Sequence, residues 1–203
     1  MGKLLKRMAF CFLAVGLVWC GTVIRDRNLL NENLIRLHVV AESDSEEDQQ
    51  IKLKVRDAVT AYLQSAMEDI PDVRQALTYL QEHLPELEAE ANRVLQECGT
   101  QVRATVSLAQ EAFDTRVYDT FTLPAGIYES LRITIGEGQG KNWWCVVFPT
   151  LCVPATAEGF QQTARENGME DALTCALTGE EGYEVRFYLL DVLGKLEIMF
   201  RRG

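Results

Sequence analysis

Asn33-Leu-Ile-Arg-Leu-His-Val-Val-Ala41, followed at once by Glu42-Ser-Asp-Ser-Glu-Glu-Asp48, decides the fold. Leu34, Ile35, Leu37, Val39 and Val40 make a dense aliphatic and β-branched run, which reads as a strand carrying Arg36 and His38 on one side. The chain then enters a helix. Ser45 with Asp48 three residues on is like a capping box. Glu46, Glu47 and Asp48 put negative charge in the first turn, where the helix dipole favours it. Ile51, Val55, Val59, Tyr62, Leu63 and Ala66 recur at helical spacing until Pro71 stops the pattern.

Two more helices follow. Val73, Ala76, Leu77, Leu80 and Leu84 mark one face of the first. Pro85 opens the second, which carries Leu87, Ala91, Val94 and Leu95 and stops at Gly99. From there the period changes from helical to alternating. Val102, Ala104, Val106 and Leu108 alternate with polar residues, as in a half-buried strand. Leu123-Pro-Ala-Gly126 fits a turn, Leu131, Ile133 and Ile135 alternate again, and Gly136 to Gly140 reads as a flexible hairpin turn into a buried strand, Trp143 to Phe148. The stretch 149–182 reads as irregular apart from a short helix near Glu170 to Leu177. Val185, Leu189, Val192, Leu193 and Leu196 then suggest a terminal helix that Gly194 weakens. The expected fold is a single α+β domain: an N-terminal strand, about three helices, a mainly antiparallel sheet and a C-terminal helix.

Upstream of the strand, Lys3, Lys6 and Arg7 lead into an apolar run that continues from Met8 to Ile24 and is closed by Arg25. Its length is at the lower edge for a membrane-spanning helix. Residues 1–24 therefore read as a signal peptide or an uncleaved anchor, and residues 25–203 as an extracytoplasmic domain. Leu17-Val-Trp-Cys20 resembles a lipidation motif, but Trp19 stands where a small residue is needed. The chain of 203 residues holds 20 Lys+Arg against 30 Asp+Glu, a net charge of −10. That balance opposes binding to nucleic acid or to anionic surfaces generally. Membrane contact is expected only through an uncleaved N-terminal segment.

The residue types that carry chemistry are sparse. Gly136-Glu-Gly-Gln-Gly-Lys-Asn142 lacks both the spacing and the Ser or Thr of a phosphate loop. His38 and His83 are the only histidines and lack metal-ligand spacing, so neither metal nor cofactor is expected. His38 lies near Asp44 and Asp48, and a carboxylate there would orient its ring. Cys145 with His38 is the one nucleophile–base pair worth weighing, although an apolar run disfavours a thiolate. Beyond the leader, Cys98, Cys145, Cys152 and Cys175 allow three pairings. A bridge between Cys145 and Cys152 across a short Pro149-containing loop is one candidate, and four buried thiols are the alternative. Trp143 and Trp144 point to opposite faces of a strand, so one faces outward and suits a binding surface unless the terminal helix covers it.

These same stretches resemble a known family. Leu34 to Ala41, then Ser43-Asp-Ser45, Asp48-Gln49 and Lys52-Leu-Lys-Val-Arg-Asp-Ala-Val59, resemble the first signature of the stage II sporulation protein R family. Leu123-Pro-Ala-Gly126 with Tyr128, then Ile135-Gly-Glu-Gly138 and Gly140-Lys-Asn-Trp-Trp-Cys-Val146, through Phe148-Pro149 and Leu151-Cys152, resemble its second. The likeness runs from about residue 33 to 200. Glu42 departs from it, standing where Asn is expected, and Cys98 and Cys175 are not family cysteines. The resemblance implies a protein exported from the forespore into the space between forespore and mother cell. There it would activate a membrane-embedded aspartic protease that removes the pro-sequence of sigma-E. It implies no enzymatic activity and no small-molecule substrate. The expected contacts with the protease are His38, Ser43, Asp44, Asp48, Gln49, Asn142, Trp143 and Trp144. The competing readings are an exported hydrolase of wall or peptide, using His38 and Cys145, and a structural module of the septal space.

Overall fold

The structure is a computed structural model that describes residues 2–118, 121–148, 171–178 and 184–202. The elements follow in the order α1 (Gly2–Asn33), β1 (Ile35–Val40), α2 (Glu46–Ala66), α3 (Val73–Glu82), α4 (Leu84–Glu97), β2 (Ala104–Phe113), β3 (Arg116–Val117), β4 (Thr122–Leu123), β5 (Gly126–Ile135), β6 (Asn142–Phe148), α5 (Asp171–Thr178) and α6 (Glu184–Arg202). The α+β expectation holds, but two helix boundaries move: α2 stops at Ala66, well before Pro71, and Leu84 opens α4 instead of closing α3. Ser45 caps α2 by accepting the Asp48 amide, Asp72 caps α3 through Gln75, and Gly99 leaves α4 with φ +76.

Four strands form one sheet in the order β2-β5-β1-β6, and β3 pairs with β4 separately. β1 runs parallel to β5 and antiparallel to β6, while β2 and β5 are antiparallel. The sheet is thus mainly antiparallel. One expectation is corrected here. β5 and β6 do not form a hairpin, because β1 lies between them. Neighbouring strands are about 4.8 Å apart, so residues 136–141 must bridge about 10 Å over the end of β1.

Helices cover both faces. On one face Ile35, Leu37 and Val39 of β1 pack with Leu131, Ile133, Cys145 and Val147 beneath Val55, Val59 and Leu63 of α2 and Leu87, Ala91 and Leu95 of α4. On the other, Phe113, Tyr128 and Val146 meet Val23 and Leu30 of α1, Leu177 of α5 and Leu190 of α6. The helix α1 therefore has two roles. It runs unbroken across residue 24; its apolar front half is exposed, whereas Val23, Asp26 and Leu30 are buried in the domain. By length and composition it is sufficient to cross a membrane.

Candidate functional site

Strand alternation sends Arg36 and His38 to the face opposite Leu37, and the same alternation brings Glu111, Ser130, Arg132 and Trp144 beside them. His38 is paired across the ladder with Trp144 on one side and Arg132 on the other. Its Nδ1 donates to Glu111 Oε2 at 3.1 Å, and its ring stacks on Trp144 with centroids 3.9 Å apart. Ser130 Oγ also donates to Oε2, at 2.9 Å, and Arg132 Nη1 donates to Oε1 at 2.9 Å. Burial raises the Glu111 carboxyl pKa, but the donors from His38, Arg132 and Ser130 prevail and hold it at about 2.

Arg36 is fully buried, an unusual place for a guanidinium. Its Nη2 donates to Tyr118 Oη at 2.8 Å, and the cation lies over the rings of Phe113, at 4.0 Å, and Tyr128, at 5.2 Å. Aromatic faces are worth most to a desolvated cation. Arg116 covers the outer face of Trp144 at 4.8 Å. The result is a layered stack of Arg116, Trp144 and His38, with Phe113 edge-on to both rings.

The expected contact loop lies at the end of the same strand, and the structure gives it a job inside the protein. Asp44 Oδ1 accepts the Lys141 amide at 2.7 Å, and Glu42 accepts the Glu137 amide at 2.5 Å. Ser43 Oγ donates to Asp48, and Gln49 Nε2 returns to the Ser43 carbonyl at 2.9 Å. The buried Lys52 ammonium bridges Gln49 Oε1, at 2.6 Å, and the Lys141 carbonyl, at 3.0 Å. Burial, with Arg56 adding repulsion, pushes its pKa below the ordinary lysine value. The backbone adds Gln139 N to Glu42 O and Gly140 N to Ala41 O. The glycine-rich segment is thus clamped onto the β1–α2 loop. A Cβ on Gly140 would overlap the Ser43 carbonyl, so close approach requires glycine there. Gly140→Ala should separate the two loops and lower stability by about 1–3 kcal/mol, read as a lower urea midpoint at unchanged slope.

All eight expected contact residues therefore converge on one end of the sheet. Asn142 and Trp143 are exposed, and Arg56 of α2 lies over the Trp143 ring at 4.2 Å. Glu111, Ser130 and Arg132 escaped the sequence reading. The carboxylate that orients His38 is Glu111, 73 positions away, and neither Asp44 nor Asp48. The proposed nucleophile pair also fails. Cys145 pairs with Leu37 and faces the α2–α4 core, opposite to His38, and its sulfur is disulfide-bonded. Such a sulfur offers no thiolate. Cys98 is a free thiol, and Cys152 lies outside the described residues.

The family described as stage II sporulation protein R matches residues 31–158, which hold the clamp and the His38–Glu111 cluster. Stage II sporulation protein R of Bacillus subtilis (strain 168) is 32% identical over 203 residues, spanning 90% of this chain and 91% of that protein. No solved structure matches.

Proposed function

This chain belongs to the stage II sporulation protein R family, so its role lies in sporulation, and from that premise we propose that it is an exported signal. Exported from the forespore side, it activates the membrane-embedded aspartic protease that processes pro-sigma-E. Family membership carries the reading. The site supports it in kind: it is a rigid end of a domain, with an exposed indole and polar neighbours, and the one thiol weighed as a nucleophile is locked in a disulfide.

Activation is a population shift. A ligand moves a protease between inactive and active states only by binding the active one more tightly. Going from about 1% to about 99% active needs about 10⁴-fold discrimination, or about 5.5 kcal/mol. One hot-spot tryptophan supplies about 2–4 kcal/mol. Trp143 alone is therefore too little, and its exposed polar neighbour Asn142 has to contribute to the same interface.

The test is processing of pro-sigma-E in vegetative cells that express the protease and its substrate, with and without this chain. Processing that requires the exported chain is the expected result; a secreted, folded chain that leaves the substrate intact defeats the reading. Trp143→Ala combined with Asn142→Ala should cut processing at least tenfold while the domain stays folded, the lost Arg56 contact costing about 0.5–1 kcal/mol. Full processing by that variant would move the contact surface elsewhere.

A further inference from the structure

Fifteen large apolar side chains are exposed among the described residues, and their distribution is uneven: eight lie on α1 between Met8 and Ile24, five on α6, and only Val117 and Trp143 elsewhere. The α6 group is Val185, Tyr188, Leu196, Met199 and Phe200, with Met199 58% and Phe200 78% exposed. Spacings of three and four put them, with the half-buried Val192 between, along one face of the helix. The opposite face, Leu190, Asp191, Gly194 and Ile198, is buried on the domain. An apolar stripe of this length on a helix is the mark of an interaction surface.

The geometry at α1 says what covers it. Adjacent residues Asp26 and Arg27 of α1 pair with Arg186 and Glu197 of α6. Those partners are eleven positions apart, about 16 Å along the α6 axis. Two helices side by side would match such a span with a comparable length of α1, so α6 crosses α1 instead. The crossing falls just beyond Ile24, the last residue of the apolar run. If α1 stands across a bilayer, a helix crossing it steeply at this level lies along the bilayer surface. Lys195, exposed on α6 and paired only within the helix to Asp191, supplies a cation at that surface, and Tyr188 is a side chain enriched at that depth.

We propose that α6 is an interfacial membrane helix, its Val185–Phe200 stripe resting among the lipids beside the point where α1 leaves the bilayer. Membrane contact is then made by both ends of the chain. β1 leads away from this base for six residues, about 20 Å, to the clamp. The domain thus presents Asn142 and Trp143 to the aqueous space. The placement stands apart from the signalling proposal, since it concerns where the domain rests and not what it activates.

Hydroxyl-radical footprinting of the full chain in phosphatidylglycerol–phosphatidylcholine vesicles tests it. Oxidation of Tyr188, Met199 and Phe200 is normalised to the same residues in the urea-unfolded chain, with Trp143 as the internal aqueous reference. The expected result is at least tenfold protection of the three α6 residues relative to Trp143, persisting when vesicles outnumber chains. Oxidation of all three at the level of Trp143 overturns the proposal. So does protection that disappears on dilution into excess vesicles, which would mean that a second copy covers the stripe.

Discussion

Replacing Gly194 with alanine lowers the stability of the domain by about 2 kcal/mol, although the same change in an open helix would raise it by about 1 kcal/mol. The reversal comes from where α6 touches the sheet. A Cβ at Gly194 would overlap the Ala125 carbonyl, which is backbone and cannot swing aside. One turn earlier, Asp191 Oδ1 accepts the Ala125 amide at 2.9 Å and also a hydrogen bond from Thr115. One turn later, Ile198 packs on Ala125 and Ile127. The three contacts require α6 to approach at one distance, and an added methyl displaces all of them. Overpacking costs about 1–3 kcal/mol, and an obstacle made of backbone places this site at the upper end. Urea unfolding should show a lower midpoint at unchanged slope. A raised midpoint would mean that α6 does not seat on Ala125, and the base of the domain would need redrawing.

Gly194 also shows what the sequence conceals. Read along the chain, a glycine in an apolar-periodic segment only weakens a helix. Its purpose is visible once the start of β5, about seventy residues earlier, is against it. Local signals were legible: the cap at Ser45, the stop at Gly99 and the alternation in β2 and β5 are carried by neighbours in sequence. Sheet order was not. The parallel pairing of β1 with β5 joins Ile35 to Glu129 and Leu37 to Leu131, and nothing in either strand names its partner. The glycine segment therefore looked like a hairpin. For the same reason the candidate site was half read. The two signature blocks do meet, but Asp44, Asp48 and Gln49 direct their side chains inward to hold the clamp. The polar partners of His38 came from strands whose register the sequence does not state.

Glu111→Ala should destabilise the domain by about 3 kcal/mol, because it leaves the buried His38 N–H, the Ser130 hydroxyl and one Arg132 guanidinium arm without their shared acceptor. The same residue sets a pH dependence whose sign is fixed. Its carboxyl pKa is about 2 in the folded protein, against about 4.3 in an unfolded chain. Between those values the unfolded state binds more protons, so stability rises with pH. The contribution of Glu111 is fully present above about pH 4.3 and is lost as the pH falls towards 2. Urea midpoints measured from pH 5 to pH 2.5 should fall more steeply in the wild type than in Glu111→Gln, which keeps an acceptor but carries no charge to titrate. Equal slopes would show that the carboxylate is not held by His38 and Arg132. The functional consequence follows from the stack. Glu111 orients His38, His38 supports the Trp144 ring, and Trp144 directly follows the exposed Trp143 on the edge strand β6. Loosening that support frees the end of β6, so under the proposed function Glu111→Gln should reduce pro-sigma-E processing even at neutral pH, where the variant is still folded; undiminished processing would make the cluster a device of stability alone.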